Sequence, residues 1–355
     1  MKIAKITIEN VTSFKDKCQV ELGDFNVFIG KNGSGKSNLM KTAYNVLNSI
    51  YGQYSQLIPF ENRLVPQSVV ETVVNIDKTE IKEISEGSAY ITLFNQDHLK
   101  DYLTAFKGQS SLSFLKKQIL SNNHMTQETE FSGMSLIGSD VIRYLGPFFS
   151  SVVSVIRRKI IIVPDTRDVP SNFQFNRQNA DPISLNNFME FLTSLKLNKR
   201  GDYDKLVLLY KRILPSTKDV LIDIRGSMGQ VSMSEENMKY VIPISNVSKG
   251  TRELLILLSI LLSCEEGSSI FIEEPEIHLH KSAVKELKNI FLELIQEKNL
   301  QITITTHNPL FLDGMEPELN KSARLYKFTK MEDSNSRITE IIEDKDFEKV
   351  VFELG

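Results

Sequence analysis

Apolar and polar positions alternate at the start of this chain of 355 residues. The segments KIAKITIENVTSF and CQVELGDFNVFIG both follow the alternation, which is typical of half-buried β-strands. After a glycine-rich segment, the apolar residues of NLMKTAYNVLNSIYG recur at helical spacing. The opening of the chain is therefore predicted to be a strand pair, a tight loop and a helix.

The next part of the chain is less regular. Residues 52–85 contain Pro59 and Pro66, which interrupt any long element, whereas SAYITLFNQ (88–96) is predicted to be a strand. From Asp97 to about residue 149 the chain is polar and rich in serine, and its amphipathic segment LTAFKGQSSLSFLKKQIL predicts a helical insertion.

Strands and helices alternate in the second half. A buried strand is predicted at KIIIVP, and a helix interrupted near NKRGDYD is predicted over residues 183–214. Three successive strands are then predicted, at DVLIDIRG, QVSMSE and KYVIPIS. A long apolar helix from about Gly250, the strand SIFIE, a helix over 281–297 and the strand LQITITTH follow. This alternation predicts a mostly parallel sheet with helices on its faces.

Composition and charge describe an ordinary globular protein. Hydrophobic residues make up 41%, charged residues 25%, and the net charge of -3 gives no global attraction for nucleic acid. Cys18 and Cys264 lie far apart and suggest neither a disulfide framework nor a cysteine metal site. The longest apolar run, LLILLSILLSC, is too short to span a membrane, and MKIAKITIEN lacks a signal-peptide core. We therefore expect a cytoplasmic protein with no membrane partner.

The segment GKNGSGKS, Gly30–Ser37, matches the phosphate-binding pattern G-x-x-x-x-G-K-[ST] between a predicted strand and a predicted helix. Its glycines let successive backbone N–H groups point at phosphates, and the helix adds its positive end. Lys36 is expected to reach the β- and γ-phosphates of ATP, and the Ser37 hydroxyl to bind Mg²⁺. A glycine-rich turn without a ligand is the alternative.

The segment SIFIEEPEIHLH ends an apolar strand in carboxylates, at the strand edge where such folds bind ligands. Glu273 is expected to contact the Mg²⁺ shell, and Glu274 to act as general base on the attacking water. Acids that cap the start of a helix are an alternative. A zinc site is another, although Pro275 interrupts the strand that its spacing requires; its ligands would be Glu276, His278 and His280.

Two further segments carry candidate chemistry. ITITTHNP places His307 at the end of an apolar strand, where an imidazole can touch a γ-phosphate, and a surface histidine beside a turn is the alternative. ISNVSKGTREL puts Ser248, Gly250 and Thr251 at the start of an apolar helix, which forms a second N-terminus suited to anions. An ordinary serine N-cap is the alternative there.

In their order along the chain, these motifs resemble the ABC-type ATPase heads of the SMC/RecF/OLD group. Residues 1–45 and 240–312 carry the resemblance. It implies an α/β fold with a mostly parallel sheet, antiparallel N-terminal strands and an inserted, mainly helical lobe. The expected parts are 1–96 with the phosphate loop (Walker A), 97–235 as a helical insertion or lid with a core strand near 159–164, and 236–355 with the remaining motifs.

The resemblance also implies a dimer in which two protomers enclose two ATP molecules. It assigns nucleotide binding to Gly30, Lys31, Asn32, Gly33, Ser34, Gly35, Lys36, Ser37 and Asn38. Ser248, Lys249 and Gly250, the signature segment, would contact the γ-phosphate bound by the partner protomer, and PEIHLH would be the D-loop at the interface. His307 would be the switch histidine, and Gln96 the Q-loop glutamine that senses Mg²⁺ and the attacking water.

The sequence departs from the group's pattern at two points. The first acid, Glu273, stands where most members have Asp, which predicts slow hydrolysis. The segment VSKGT differs from the Leu-Ser-Gly-Gly-Gln of membrane transporters and argues against a transporter subunit.

The resemblance favours a dimerising switch ATPase that controls a separately encoded effector, such as a nuclease or toxin, in anti-phage defence. About 210 residues separate Ser37 from Ser248, too few for long coiled-coil arms, and the tail after His307 is too short for a fused nuclease. A RecF-like DNA-binding protein is one alternative, with a phosphate-binding face formed by Arg157, Arg158, Lys159 and Arg167. A scaffold that binds ATP with negligible turnover is the other.

Overall fold

The structure is a computed structural model. It describes residues 1–49, 67–87, 106–121, 124–131, 146–165, 167, 173–174, 188–225, 228–312, 322–342 and 350. The strands are β1 (Lys2–Glu9), β2 (Cys18–Glu21), β3 (Phe25–Ile29), β4 (Ser68–Asp77), β5 (Ser111–Ser121), β6 (His124–Phe131), β7 (Ile160–Val163), β8 (Phe173–Gln174), β9 (Thr217–Arg225), β10 (Met228–Glu235), β11 (Ile242–Pro243), β12 (Ser269–Glu273), β13 (Gln301–Thr306), β14 (Ala323–Lys330) and β15 (Ser336–Glu340). The helices are α1 (Lys36–Asn48), α2 (Lys78–Gly87), α3 (Gly146–Lys159), α4 (Phe188–Asn198), α5 (Arg200–Ile213), α6 (Lys249–Ser263) and α7 (Lys281–Lys298).

A central sheet of six strands positions the motifs. Its order is β15-β14-β3-β13-β12-β7, and every neighbouring pair is parallel except β14 with β15. The predicted, mostly parallel sheet is therefore confirmed. Because β3, β12, β13 and β7 run in the same direction, the segments that follow them meet at one edge of the sheet.

Both faces of the central sheet are buried, and alternate residues of each strand enter different cores. On β3, Val27 and Ile29 pack in one core and Phe28 in the other; on β12, Ile272 and Phe271 divide in the same way. The first core lies against helices α4 to α7. The second contains side chains of α1, α3 and the five-stranded antiparallel sheet β2-β1-β4-β5-β6. Burial on two faces explains why these strands are apolar throughout.

The middle of the chain holds more strands than the sequence predicts. Residues 68–77, within the segment predicted to be irregular, form β4, and α2 follows directly. The helix predicted over LTAFKGQSSLSFLKKQIL is wrong, because residues 111–121 form β5, which pairs with β4 from Ser111 to Leu120. The strand predicted at 88–96 lies outside the described residues.

The part of the chain between β7 and α6 forms a smaller unit. Helices α4 and α5 are separated at Lys199, as predicted from NKRGDYD, and β9, β10 and β11 confirm the three strands predicted after them. These strands form an antiparallel sheet with β8. In the described residues, no helix is long and apolar enough to cross a membrane.

Candidate nucleotide-binding site

A cavity of about 320 Å³ opens at the edge of the sheet where the parallel strands end. The segments after β3, β7, β12 and β13 all contribute to its walls, as the strand directions require. The lining residues are Asn32, Gly33, Ser34, Gly35, Lys36, Ser37, Asn38, Asp165, Glu273, Glu274, Ile277 and His307. The sheet therefore brings together the predicted phosphate loop, both acids and His307, the predicted switch histidine.

The loop between β3 and α1 depends on glycine at two positions. Gly35, with φ 102°, is the N-cap of α1, and a Cβ there would lie 2.7 Å from Ser336 Oγ and 2.8 Å from Ser13 Oγ. A Cβ on Gly30 would lie 2.3 Å from the carbonyl oxygen of Phe328. The tight packing directs the first turn of α1 toward the cavity, where its free N–H groups can bind an anion.

Lys36 is buried at the base of this loop. Its ammonium donates to the carbonyl oxygens of Gly30 at 2.6 Å and Lys31 at 3.2 Å, and it lies 3.9 Å from Glu274 Oε1. Burial lowers the pKa of Lys36, and the charges of Glu274 and Glu276 act in the opposite direction. A buried cation of this kind gains from an added anion, such as a phosphate group.

Glu273 and Ser37 offer oxygen atoms suited to Mg²⁺. The Glu273 side chain is buried, and its Oε2 forms an ion pair with Lys41 Nζ at 2.9 Å. Its Oε1 has no hydrogen-bond partner among the described residues. Since Mg²⁺ prefers a few carboxylate and hydroxyl oxygens together with substrate phosphates, Glu273 and Ser37 fit this ion.

Glu274 lies between a cation and an imidazole. Its Oε2 is 2.5 Å from His307 Nδ1, while its Oε1 faces Lys36 Nζ. Its backbone adopts φ 44°, in the left-handed region, and its N–H donates to the carbonyl oxygen of Thr305 at 2.9 Å. The carboxylate is thus held at the cavity wall, where it can accept a proton.

Glu276 accepts hydrogen bonds from the end of β13 and from the residue that follows it. Thr306 Oγ1 donates to Glu276 Oε1, and the backbone N–H of His307 donates to the same oxygen at 3.3 Å. Burial raises the pKa of the Glu276 carboxyl, and the hydrogen bond from Thr306 partly counters that effect. Glu276 therefore fixes the position of His307 rather than lining the cavity.

The zinc site predicted as an alternative does not form in the described structure. His278 Nδ1 lies 3.2 Å from Glu253 Oε2, and His280 Nδ1 lies 3.3 Å from Ser282 Oγ. The histidines thus bond other groups than Glu276, because the chain turns after Pro275 and His278 adopts φ 62°. Among the described residues, the ligand atoms that do cluster within 4.8 Å belong to Glu274, Glu276 and His307.

The signature segment lies at the start of α6, outside the walls of the cavity. Ser248 is the N-cap, and its hydroxyl accepts from the Thr251 N–H at 3.4 Å. Lys249 Nζ lies 3.6 Å from Glu253 Oε1. A Cβ on Gly250 would lie 2.5 Å from the carbonyl oxygen of His278, so the signature and D-loop segments pack directly together.

The four basic residues considered as a phosphate-binding face divide into two exposed side chains, Arg157 and Arg158, and two buried ones, Lys159 and Arg167. Arg158 pairs with Glu83 and Glu265, and Lys159 Nζ donates to buried Glu80 Oε1 at 2.9 Å. The remaining members, Arg157 and Arg167, donate to backbone carbonyl oxygens. These cations bond to carboxylates and carbonyl oxygens of the protein itself, because α3 and the residues after β7 lie against the rest of the chain.

Sequence reasoning missed Asp165 and assigned Arg167 to a different role. Asp165 lines the cavity, and buried Arg167 contacts the backbone of both acids. Both follow the buried strand KIIIVP, and a polar residue just after a parallel strand was the available signal. Gln96, predicted as the Q-loop glutamine, lies outside the described residues.

Known proteins are similar over most of the chain. Residues 1–151 match a profile described as "AAA ATPase domain", and residues 128–313 match one described as "AAA domain, putative AbiEii toxin, Type IV TA system". An "ATP/GTP phosphatase" of Helicobacter pylori is 20% identical over 337 residues, which cover 88% of this chain and 87% of the relative.

Solved structures show the same fold at low sequence identity. An SMC head bound to the C-terminal winged-helix domain of ScpA has a TM-score of 0.59 at 13% identity and covers 98% of this chain and 100% of its own. A Pyrococcus furiosus SMC head with an extended coiled coil, bound to the C-terminal domain of ScpA, has a TM-score of 0.56 at 12% identity, with 99% of both chains covered. The second of the two profiles spans more than half of the chain. The protein therefore belongs to this AAA domain family, and its fold is that of an SMC-like P-loop ATPase head.

Proposed function

We propose that the protein hydrolyses ATP at the cavity, with Glu274 as the general base. The position of the Glu274 carboxylate, between Lys36 and His307 at the cavity wall, carries this proposal. Glu274 takes a proton from water as the water oxygen bonds to the γ-phosphorus, and the bond from phosphorus to the ADP oxygen breaks. The products are ADP and inorganic phosphate.

The other residues bind and orient the nucleotide. Lys36 exchanges its loop carbonyl acceptors for phosphate oxygens, and the first turn of α1 contributes N–H donors. Ser37 and Glu273 would hold Mg²⁺, which, when bound, neutralises phosphate charge. His307, whose backbone N–H bonds Glu276, would donate to the γ-phosphate.

We further propose that two copies of the chain complete each site. The signature helix α6 begins outside the cavity of its own chain, so its exposed N-terminus is available to a nucleotide bound by another copy. Ser248, Lys249 and Gly250 would then contact the γ-phosphate from the partner. The close packing of Gly250 on His278 makes the signature and the D-loop a single surface for that contact.

Two variants test the hydrolysis and the dimer. Glu274→Gln keeps the shape of the side chain but removes the base, so we expect phosphate release to fall at least about 100-fold. Light scattering should then show a stable dimer with ATP and Mg²⁺. Lys36→Ala should abolish both turnover and dimerisation. A Glu274→Gln variant that stays monomeric with ATP would refute the sandwich, and undiminished turnover in Lys36→Ala would refute the site.

We propose that the ATP-driven dimer controls a separate effector protein, such as a nuclease or toxin, in anti-phage defence. Two similarities support it: the family description refers to a toxin, and the similar SMC heads bind ScpA domains. Purification of the intact protein with and without ATP, followed by mass spectrometry, should identify a nucleotide-dependent partner. DNA binding that strengthens with ATP at low salt would instead favour the DNA-binding alternative. Turnover abolished by Lys36→Ala would dismiss the scaffold alternative.

A further inference from the structure

A buried arginine lies directly behind the two acidic residues of the site. The side chain of Arg167 is 2% exposed, and its Nη2 donates to the carbonyl oxygens of Glu273 at 2.8 Å and Glu274 at 3.1 Å. Its Nε donates to the carbonyl oxygen of Pro164 at 2.9 Å. Arg167 thus touches the backbone of the acids, while their carboxylates face the cavity.

The end of β7 explains why a side chain is needed at this place. The pairing of β12 with β7 ends where Ile272 faces Val163. The next residue in the chain is Pro164, which has no N–H to donate to the sheet. The guanidinium supplies donors to the backbone carbonyls that follow Ile272. It does so where the backbone of Glu274 adopts the left-handed conformation, which residues other than glycine rarely adopt.

Buried carboxylates influence the charge of Arg167. Burial lowers the pKa of Arg167, and the carboxylate of Glu253 on α6 is the largest opposing influence, followed by Glu276. Glu253 is itself 2% exposed and contacts both His278 Nδ1 and Lys249 Nζ. Glu253 therefore joins the start of α6 to His278, in the segment that follows the two acids.

We propose that Arg167 is a positioning residue for ATP hydrolysis. It fixes the backbone of Glu273 and Glu274, so that the Glu274 carboxylate is presented to the attacking water. This inference rests on the proposed ATPase function.

Replacement of Arg167 tests the inference by separating turnover from binding. In Arg167→Met we expect kcat to fall at least about tenfold, since the Glu274 backbone loses its donors. The dissociation constant of a fluorescent ATP analogue should stay within about threefold, because the described hydrogen bonds of Arg167 lead to carbonyls outside the phosphate loop. Arg167→Lys keeps the charge but lacks the planar fork of donors, so its kcat should lie between those of the wild type and Arg167→Met.

A double variant shows whether Arg167 acts through Glu274. Adding Arg167→Met to Glu274→Gln should lower the residual turnover by less than about twofold, because the base that Arg167 positions is already absent. If Arg167→Met lowered the turnover of the Glu274→Gln variant as much as it lowers that of the wild type, the inference would be overturned. Arg158→Met is the matched control, since Arg158 is exposed and paired with Glu83 and Glu265, and it should keep wild-type kcat.

Further outcomes separate folding from positioning. If Arg167→Met does not fold, Arg167→Met with Glu253→Gln removes both buried charges, and thermal unfolding shows whether the fold is restored. Failure of every Arg167 variant to fold would overturn the positioning role. Absence of Lys36-dependent turnover in the wild type would refute the proposed function itself. If the wild type is active and the folded Arg167→Met variant has the same kcat, only the present inference is refuted.

Discussion

Lys116 on β5 should make the stability of the protein depend on pH. Its side chain is 1% exposed, and its ammonium donates to the carbonyl oxygens of Leu47 at 3.2 Å and of Ser49, at the C-terminal end of α1. Burial, together with the positive charge of Arg157, lowers the pKa of Lys116 to about 7. Arg157 donates to the neighbouring carbonyl of Asn48 at 3.1 Å, so two cations serve the same helix end.

The sign and size of the effect follow from the two pKa values. In the unfolded chain a lysine has a pKa of about 10.4, so between pH 7 and 10 the unfolded state binds more protons at this residue. The free energy of unfolding therefore rises with pH in this window and is lowest below pH 7. The full difference is on the order of 5 kcal/mol, of which about 2.5 kcal/mol falls between about pH 7.5 and 9.5.

Urea unfolding followed by circular dichroism at several pH values tests this reasoning. Lys116→Met removes the titrating group, so the stability difference between wild type and variant should change by about 2.5 kcal/mol between about pH 7.5 and 9.5. Lys117→Met is the control, because that lysine is partly exposed and pairs with Glu128 at 3.2 Å; it should retain the wild-type dependence. Parallel curves for wild type and Lys116→Met would refute the argument.

Three glycine substitutions test the packing around the motifs. Gly35→Ala should weaken ATP binding more than about tenfold in a titration, because its Cβ would meet Ser336 Oγ at 2.7 Å in a left-handed turn; unchanged affinity would contradict it. Gly250→Ala should lower the free energy of unfolding by about 1 to 3 kcal/mol, since the carbonyl oxygen of His278 lies 2.5 Å from the added Cβ. Gly201→Ala, in open space on α5, should raise it by about 0.5 to 1 kcal/mol. Equal melting temperatures for the last two variants would contradict this account.

The phosphate loop and the acids were predictable because their chemistry is local. The spacing from Gly30 to Ser37 is set by one turn of backbone, and an apolar strand followed by Glu273 and Glu274 indicates a strand end at a ligand site. Arg167 was not predictable in this way. Its partners at the acids, the carbonyl oxygens of Glu273 and Glu274, are more than 100 residues away. They meet it only because β7 pairs with β12 and ends before Pro164.

The error at β5 has a physical reason. Its buried face carries Leu112, Phe114, Lys116 and Gln118, so two polar residues occupy positions where alternation predicts apolar ones. Both polar side chains reach the end of α1, Lys116 through backbone carbonyls and Gln118 through Ser49 Oγ at 3.0 Å. Because the reason for their burial lies on another element, the segment by itself resembles an amphipathic helix.

The position of β3 has a consequence for synthesis of the protein. This fully buried strand lies between β13 and β14, whose residues follow it by about 270 positions or more. At a translation rate of about 5 to 20 residues per second, β3 waits roughly 15 to 60 seconds on the ribosome before either neighbour exists. An apolar strand with two unpaired edges is prone to association during that time. The nascent chain is therefore expected to depend on chaperones more strongly than the finished protein.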